Sequence, residues 1–346
     1  RDCSNWCADA NAVYVAMGEN CYQLDAASGD IQQVHSVMGE EETWNWGFVA
    51  REKELLLGSQ VRPGNTFTAW WGGANWYDAR EGSATAKVCS DVLFARDASS
   101  GEHQWRYQNG LILNTTITIA DDRIYFLENR TAELKAGQSR RFAGEGLFQN
   151  LHMVALDLAT GDVIWQREAK PLPGDVATFL AESDGRLILV TSHRNPSVGD
   201  PGGEFAVYSF DAKDGNSQWR RKFSWEVDHH GKSLSRPTIV GGHIYLRPLV
   251  LDLNNGEVVR PHFPEGHQCG TYIATTEALF LRSGNLAAWS RKDWTASRWE
   301  RLRPDCWIST VPANGMLLAP EGGGGCSCGS WIETSAGFMP RSVDSH

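Results

Sequence analysis

The sequence predicts an all-β protein: a β-propeller of seven blades, each of four antiparallel strands, with eight blades as the runner-up. Three observations lead there. An eleven-residue phrase recurs at long spacing, short apolar strands precede its copies, and almost no stretch keeps apolar residues at i, i+3, i+4 and i+7.

The cleanest copy of the phrase runs from Ala155 through Asp157 and Gly161 to Trp165. A second runs from Ala95 through Asp97 and Gly101 to Trp105, and a third from Ser209 through Asp211 and Gly215 to Trp219. Two weaker copies keep Asp and Gly but lose Trp: Asp25, Gly29 and Gln33, then Asp252, Gly256 and Arg260. Each phrase reads as strand, tight turn, strand. The Asp carboxylate accepts turn N–H groups, the Gly supplies a positive φ, and the Trp begins the next strand and docks on a neighbouring unit.

The strand before each turn is β-branched or aromatic and bounded by Gly, Asp or Asn. Examples are Ala12–Val15, Glu54–Leu57, Arg123–Phe126, Arg186–Val190, His243–Leu246 and Ala278–Leu281. The repeat Asp residues are spaced 72, 60, 54 and 41 apart, room for one four-stranded sheet per repeat with loops of variable size. One insertion spans about Gln60 to Lys87 and is rich in Gly and Trp; another spans about Asn129 to Asn150. Two degenerate units, Ala278–Arg301 and Cys306–Pro340, raise the five copies to seven. The last has three strands, and the N-terminal segment is expected to supply its fourth. The whole, 1–346, reads as one domain, which can be the C-terminal part of a larger protein, because Arg1–Cys7 looks like the interior of a folded region.

A net charge of -10 argues against nucleic acid as a partner, since phosphate binding needs clustered Lys and Arg. No apolar run reaches membrane-span length. Eight cysteines, an even count, fit disulfides in an oxidising compartment. No Cys-x-x-Cys-His is present to attach a c-type haem.

The Ala-x-Asp-x-x-x-Gly-x-x-x-Trp phrase resembles the tryptophan-docking repeat of the PQQ-like, or quinoprotein-type, β-propeller superfamily, over roughly Ala10 to Pro340. That superfamily holds pyrroloquinoline quinone dehydrogenases and also non-catalytic scaffolds of the BamB type. The C-terminal run, Pro304–Trp307, Val311–Gly315 and Cys326-Ser-Cys328, resembles secreted PQQ-like proteins of planctomycete type. The dehydrogenases carry adjacent cysteines over the quinone and oxygen ligands for calcium. Here no Cys-Cys occurs, and the repeat Asp residues are better explained as turn caps. The resemblance therefore implies the fold and an extracytoplasmic binding or scaffold module, in a larger protein or assembly, without bound quinone. The alternatives are an oxidoreductase using PQQ with calcium or a transition metal, and a carbohydrate-binding or lyase-like propeller.

Three clusters are candidate sites. Asp228, His229 and His230, with His267 at the equivalent entry to the next blade, have the chemistry of a transition-metal or proton-transfer site; the competing reading is polar turn residues. Cys3 and Cys7 are disulfide candidates at the chain start, and Cys269, Cys306, Cys326 and Cys328 in the late region. Trp70, Trp71 and Trp76 in the first insertion can stack on sugars or enter a partner; the competing reading is a loop that buries its own aromatics. Asn114-Thr-Thr116 and Asn129-Arg-Thr131 match the glycosylation acceptor pattern.

Overall fold

A computed structural model describes residues 5–37, 43–66, 87–142, 144–169, 177–194, 203–225, 236–246, 249–261, 272–283, 285–302, 310–320 and 335–339. The described elements form antiparallel sheets in a β-propeller repeat. The first sheet holds β1 (Trp6–Ala8), β2 (Ala12–Met17), β3 (Asn20–Asp25) and β4 (Ile31–Ser36) in that order. The second holds β5 (Asn45–Glu52), β6 (Leu55–Val61), β8 (Val92–Asp97) and β9 (His103–Tyr107). Between them in sequence, β7 (Lys87–Ser90) leaves for the third sheet.

That third sheet has seven strands. Its path is β13 (Arg141–Phe142), β7, β10 (Leu111–Leu113), β12 (Arg123–Asn129), β14 (Leu151–Asp157) and β15 (Val163–Ala169), with β11 (Thr118–Ala120) also on β12. The fourth sheet runs β16 (Ala177–Ser183), β17 (Arg186–Arg194), β18 (Gly203–Asp211), β19 (Ser217–Trp225). These four sheets make one compact unit. A second unit contains β20 (Thr238–Val240) to β23 (Val258–Arg260), β24 (Ile273–Ala274) to β27 (Ala296–Trp299), and the three strands β28 (Val311–Ala313), β29 (Met316–Ala319) and β30 (Ala336–Phe338).

The six sampled strands all form where the sequence places them. The N-terminal segment departs from expectation. Trp6–Ala8 pair with Val13–Val15 and complete the first sheet rather than the last. The local hairpin wins because Asp9 caps its turn, accepting from the Asn11 and Ala12 amides.

Four of the repeat turns close alike. Asp157 Oδ1 accepts from the Ala159 and Thr160 amides at 2.9 Å, and the Gly161 amide donates to the Asp157 carbonyl. Asp25, Asp97 and Asp252 do the same with their own turns. At Asp97 two added serine hydroxyls help hold its carboxyl down to about 2. A β-bulge lies two residues before the Asp in four sheets, at Gln23, Ala95, Ala155 and Val250. The Trp is the third residue of its strand rather than the first, and for Trp105 and Trp165 this sets the ring over the next sheet's turn.

Consecutive sheets pack face to face within each unit. Leu57, Leu93 and Trp105 of the second sheet meet Ile124, Phe126 and Leu156 of the third. Tyr125, Met153 and Trp165 of the third meet Leu180, Leu187 and Tyr208 of the fourth. The lock is specific. Trp105 Nε1 donates to the Leu158 carbonyl at 2.9 Å, and Trp165 Nε1 to the Ala212 carbonyl at 3.1 Å. Beneath each ring sits the next repeat's glycine. A Cβ on Gly161 would stand 2.6 Å from the Trp105 ring, and one on Gly215 2.7 Å from Trp165. Both glycines hold φ near +73°.

Where Trp is missing, other chemistry fills the place. Gln33 and the buried His35 lie under Gly101. In the second unit the partners are exchanged: Arg260, at the Trp position, lies over the ring of Trp294, 4.1 Å from its centroid. Trp294 occupies the turn-glycine position, with φ 62° and its amide donating to the Ser290 carbonyl at 3.0 Å. An Arg on a tryptophan face replaces a tryptophan on a glycine.

Two predictions follow from this lock. Trp105→Phe leaves the Leu158 carbonyl buried without its donor, and denaturant unfolding should show a loss of about 1–3 kcal/mol. Gly161→Ala should lose a similar amount, since a non-glycine residue at this φ is strained by about 1–3 kcal/mol before the ring contact is counted. For the exchanged lock, Arg260→Trp and Trp294→Gly are each expected to destabilise, whereas the double variant recovers part of the loss. A double-mutant cycle should read a coupling of about 0.5–3 kcal/mol.

Candidate functional site

The docking residues Asp97, Gly101, Trp105, Asp157, Gly161, Trp165, Asp211, Gly215 and Trp219 are structural: they make turns or stand buried in the core. The metal candidates Asp228, His229, His230 and His267 lie outside the described residues, as do Trp70, Trp71, Trp76, Cys3, Cys269, Cys306, Cys326 and Cys328. Cys7 is described and corrects the disulfide expectation. It is an unbridged thiol on β1 whose cross-strand neighbour is Tyr14, with no thiol opposite it. Burial, then the Asp9 carboxylate, pushes that thiol up to about 12, which disfavours the thiolate. The two glycosylation-pattern asparagines, Asn114 and Asn129, are buried and serve the structure.

The two insertions meet on the third sheet, through contacts between residues 75 apart along the chain. Asn129 ties the second insertion shut: its amide donates to the Leu147 and Gln149 carbonyls, and its side-chain oxygen accepts from the Thr131 amide. From there α1 (Ala132–Ala136) leads to Arg140 and β13, which pairs with β7 at the end of the first insertion. Asn65 of the first insertion accepts from the Arg140 amide at 2.7 Å, and Arg141 donates to the Asn65 and Thr66 carbonyls.

Arg140 is the centre of this junction. It is 1% exposed, yet its guanidinium is fully occupied. Nε and Nη2 bind the two Asp91 oxygens at 2.7 and 2.6 Å as a bidentate pair. Nη1 donates to the Gly137 and Ser139 carbonyls and Nη2 also to the Lys135 carbonyl. A second buried pair stands close by. Glu128, fully buried, accepts from Arg130 at 2.6 Å, from the Tyr107 hydroxyl at 3.0 Å and from the Gly110 amide at 2.9 Å. Burial, then the Glu128 charge, raises the Tyr107 phenol, so it stays a donor. Gly110 has no room for a side chain, since a Cβ would stand 2.8 Å from the Glu128 carboxyl carbon.

Over this scaffold lies a polar pocket of about 360 Å³, lined by Arg62, Asp91, Gln108, Asn109, Gly110, Leu111, Lys135 and Arg140. Its size suits a small-molecule group or a few side chains. It carries three cations and one carboxylate, a local reversal of the chain's net charge of -10. Among the described residues no group of three or more His, Cys, Asp or Glu converges to hold a metal ion.

Sequence reading located both insertions but not their junction. The available signal was Arg140-Arg141, two adjacent cations inside an insertion. Replacing Arg140 with Met should strand the Asp91 carboxylate in a site where Asp91 is only 11% exposed. The expected loss, read by chemical denaturation, is about 3–5 kcal/mol.

The family model described as outer membrane protein assembly factor BamB matches residues 91–262 and 152–298. Among solved structures, the computationally designed Ika8 protein aligns over 92% of this chain and 80% of its own, at 8% identity and a TM-score of 0.53. The quinohemoprotein alcohol dehydrogenase from Comamonas testosteroni aligns over 91% of this chain and 62% of its own, at 14% identity and a TM-score of 0.52. BamB from Moraxella catarrhalis aligns over 97% and 81%, at 13% identity and a TM-score of 0.49. At such identities the likeness is one of fold alone. No curated protein matches the sequence. With the family model covering more than half of the chain, and the Asp-Gly-Trp lock joining its sheets, the protein belongs to the PQQ-like, BamB-type β-propeller repeat family.

Proposed function

We propose that this protein is a binding or scaffold module acting outside the cytoplasm, built as a seven-bladed ring and engaging another protein or other domains of its own chain. One observation carries the reading. Among the described residues one sheet exceeds the four-stranded pattern, and its extra strands frame a polar pocket rather than bury more core. Loops that elaborate one repeat of a regular scaffold are where binding residues concentrate. Membership of a family whose model is described as an assembly factor supports the same role. The C-terminal likeness to secreted planctomycete-type proteins, and the even cysteine count, favour an oxidising location.

Photo-crosslinking tests this directly. With a photoreactive residue at Asn109, beside the pocket, cells of the source organism should yield a discrete protein adduct in the extracytoplasmic fraction. The same residue at the exposed Asn216, on the fourth sheet's turn, should yield none. An adduct absent at Asn109, or equal at both positions, overturns the reading.

A further inference from the structure

The charges of the pocket are unequally satisfied. Arg140 and Asp91 neutralise one another, and so do Arg130 and Glu128. Arg62 and Lys135 differ. Arg62 donates to the neutral Gln138 side chain and Lys135 to the Asn109 carbonyl, and neither meets a carboxylate among the described residues. Arg62 Nε is buried with no hydrogen-bond partner among the described residues. A buried guanidinium nitrogen without an acceptor is costly to keep.

From this geometry we infer that Arg62 and Lys135 form a carboxylate-binding site whose occupant is an acidic side chain, or the C-terminal carboxylate, of a bound polypeptide. The inference deepens the binding-module reading and rests on it. Each feature of the pocket has a part. The planar fork of Arg62 matches a carboxylate, and Lys135 adds a second charge. Asp91 and Arg140, already paired on the same wall, leave Arg62 and Lys135 as the pocket's unbalanced charges. The exposed Gln108 and Asn109 amides at the rim offer donors and acceptors to a peptide backbone.

Arg140 acts as a positioning residue. By holding the Lys135 and Gly137 carbonyls it fixes the end of α1, and with it the Lys135 side chain. The two spare cations come from different insertions, so the site exists only when those insertions are joined.

Calorimetric titration of the full chain tests this with four probes at low ionic strength: N-acetyl-triglutamyl amide, its triglutaminyl counterpart, succinate and inorganic phosphate. The triglutamyl peptide should bind and the triglutaminyl peptide should not. Arg62→Gln with Lys135→Gln should weaken the triglutamyl peptide at least tenfold while leaving the thermal midpoint near that of the parent. Arg62→Lys, which keeps the charge but removes the fork, should fall between them. An exposed-charge control, Lys213→Gln, should bind like the parent. Binding should weaken as salt rises to about 0.15 M, where the screening length is about 8 Å.

Equal binding of the two peptides, or no effect of the double variant, overturns the carboxylate site. Phosphate binding more tightly than the triglutamyl peptide overturns the ligand class. Succinate binding as tightly as the peptide overturns the polypeptide as occupant. Because these titrations use no cellular partner, they can fail while the Asn109 adduct persists, and the adduct can fail while they succeed.

Discussion

The structure depends on one contact made repeatedly: an indole ring laid on the glycine of the next sheet's turn, with its N–H bonded to a carbonyl beside it. Trp105 on Gly161 and Trp165 on Gly215 are the clear instances. Each half of the contact requires the other. The turn must be tight, so its glycine takes a positive φ. The same lack of a Cβ then leaves a flat surface against which an aromatic ring fits at van der Waals distance. The Asp that caps the turn fixes the carbonyl that the indole N–H reaches. Local turn chemistry and long-range packing are thus one device, and sheets stacked by it need no helices between them.

The departures from the device respect its physics. Where the first sheet lacks a Trp, Gln33 and His35 take the place beside Gly101. In the second unit, an aromatic at the turn and a cation at the strand give the same face-on contact with the roles exchanged. What is preserved is a flat group against a polarisable or unobstructed one, together with the Ser290 carbonyl accepting the turn amide. Residue identity is the looser constraint, which is why a search for Asp, Gly and Trp alone undercounts the repeats.

A scaffold fixed this firmly can carry an unusual concentration of charge on one sheet. Two ion pairs are buried beside the polar pocket, and both are fully hydrogen-bonded, so their desolvation is offset by geometry rather than by water. They are better understood as supports that hold the pocket's rim than as net sources of stability. The cations left without carboxylate partners, Arg62 and Lys135, lie on the elements these supports position.

The sequence by itself determined the repeat: the Asp cap, the turn glycine and the Trp after it all lie within eleven residues, and their energetics are local. It also marked both insertions by their excess length. Only the tertiary structure decided that those insertions join, because Arg140 finds Asp91 across 49 residues and Asn65 across 75. The fate of the N-terminal strand and of Cys7 was decided there too, by which neighbour each could pair with. Turn chemistry is written in short-range spacing, whereas an ion pair between loops has no spacing at all. Its partners are chosen by whichever strands the sheet brings side by side.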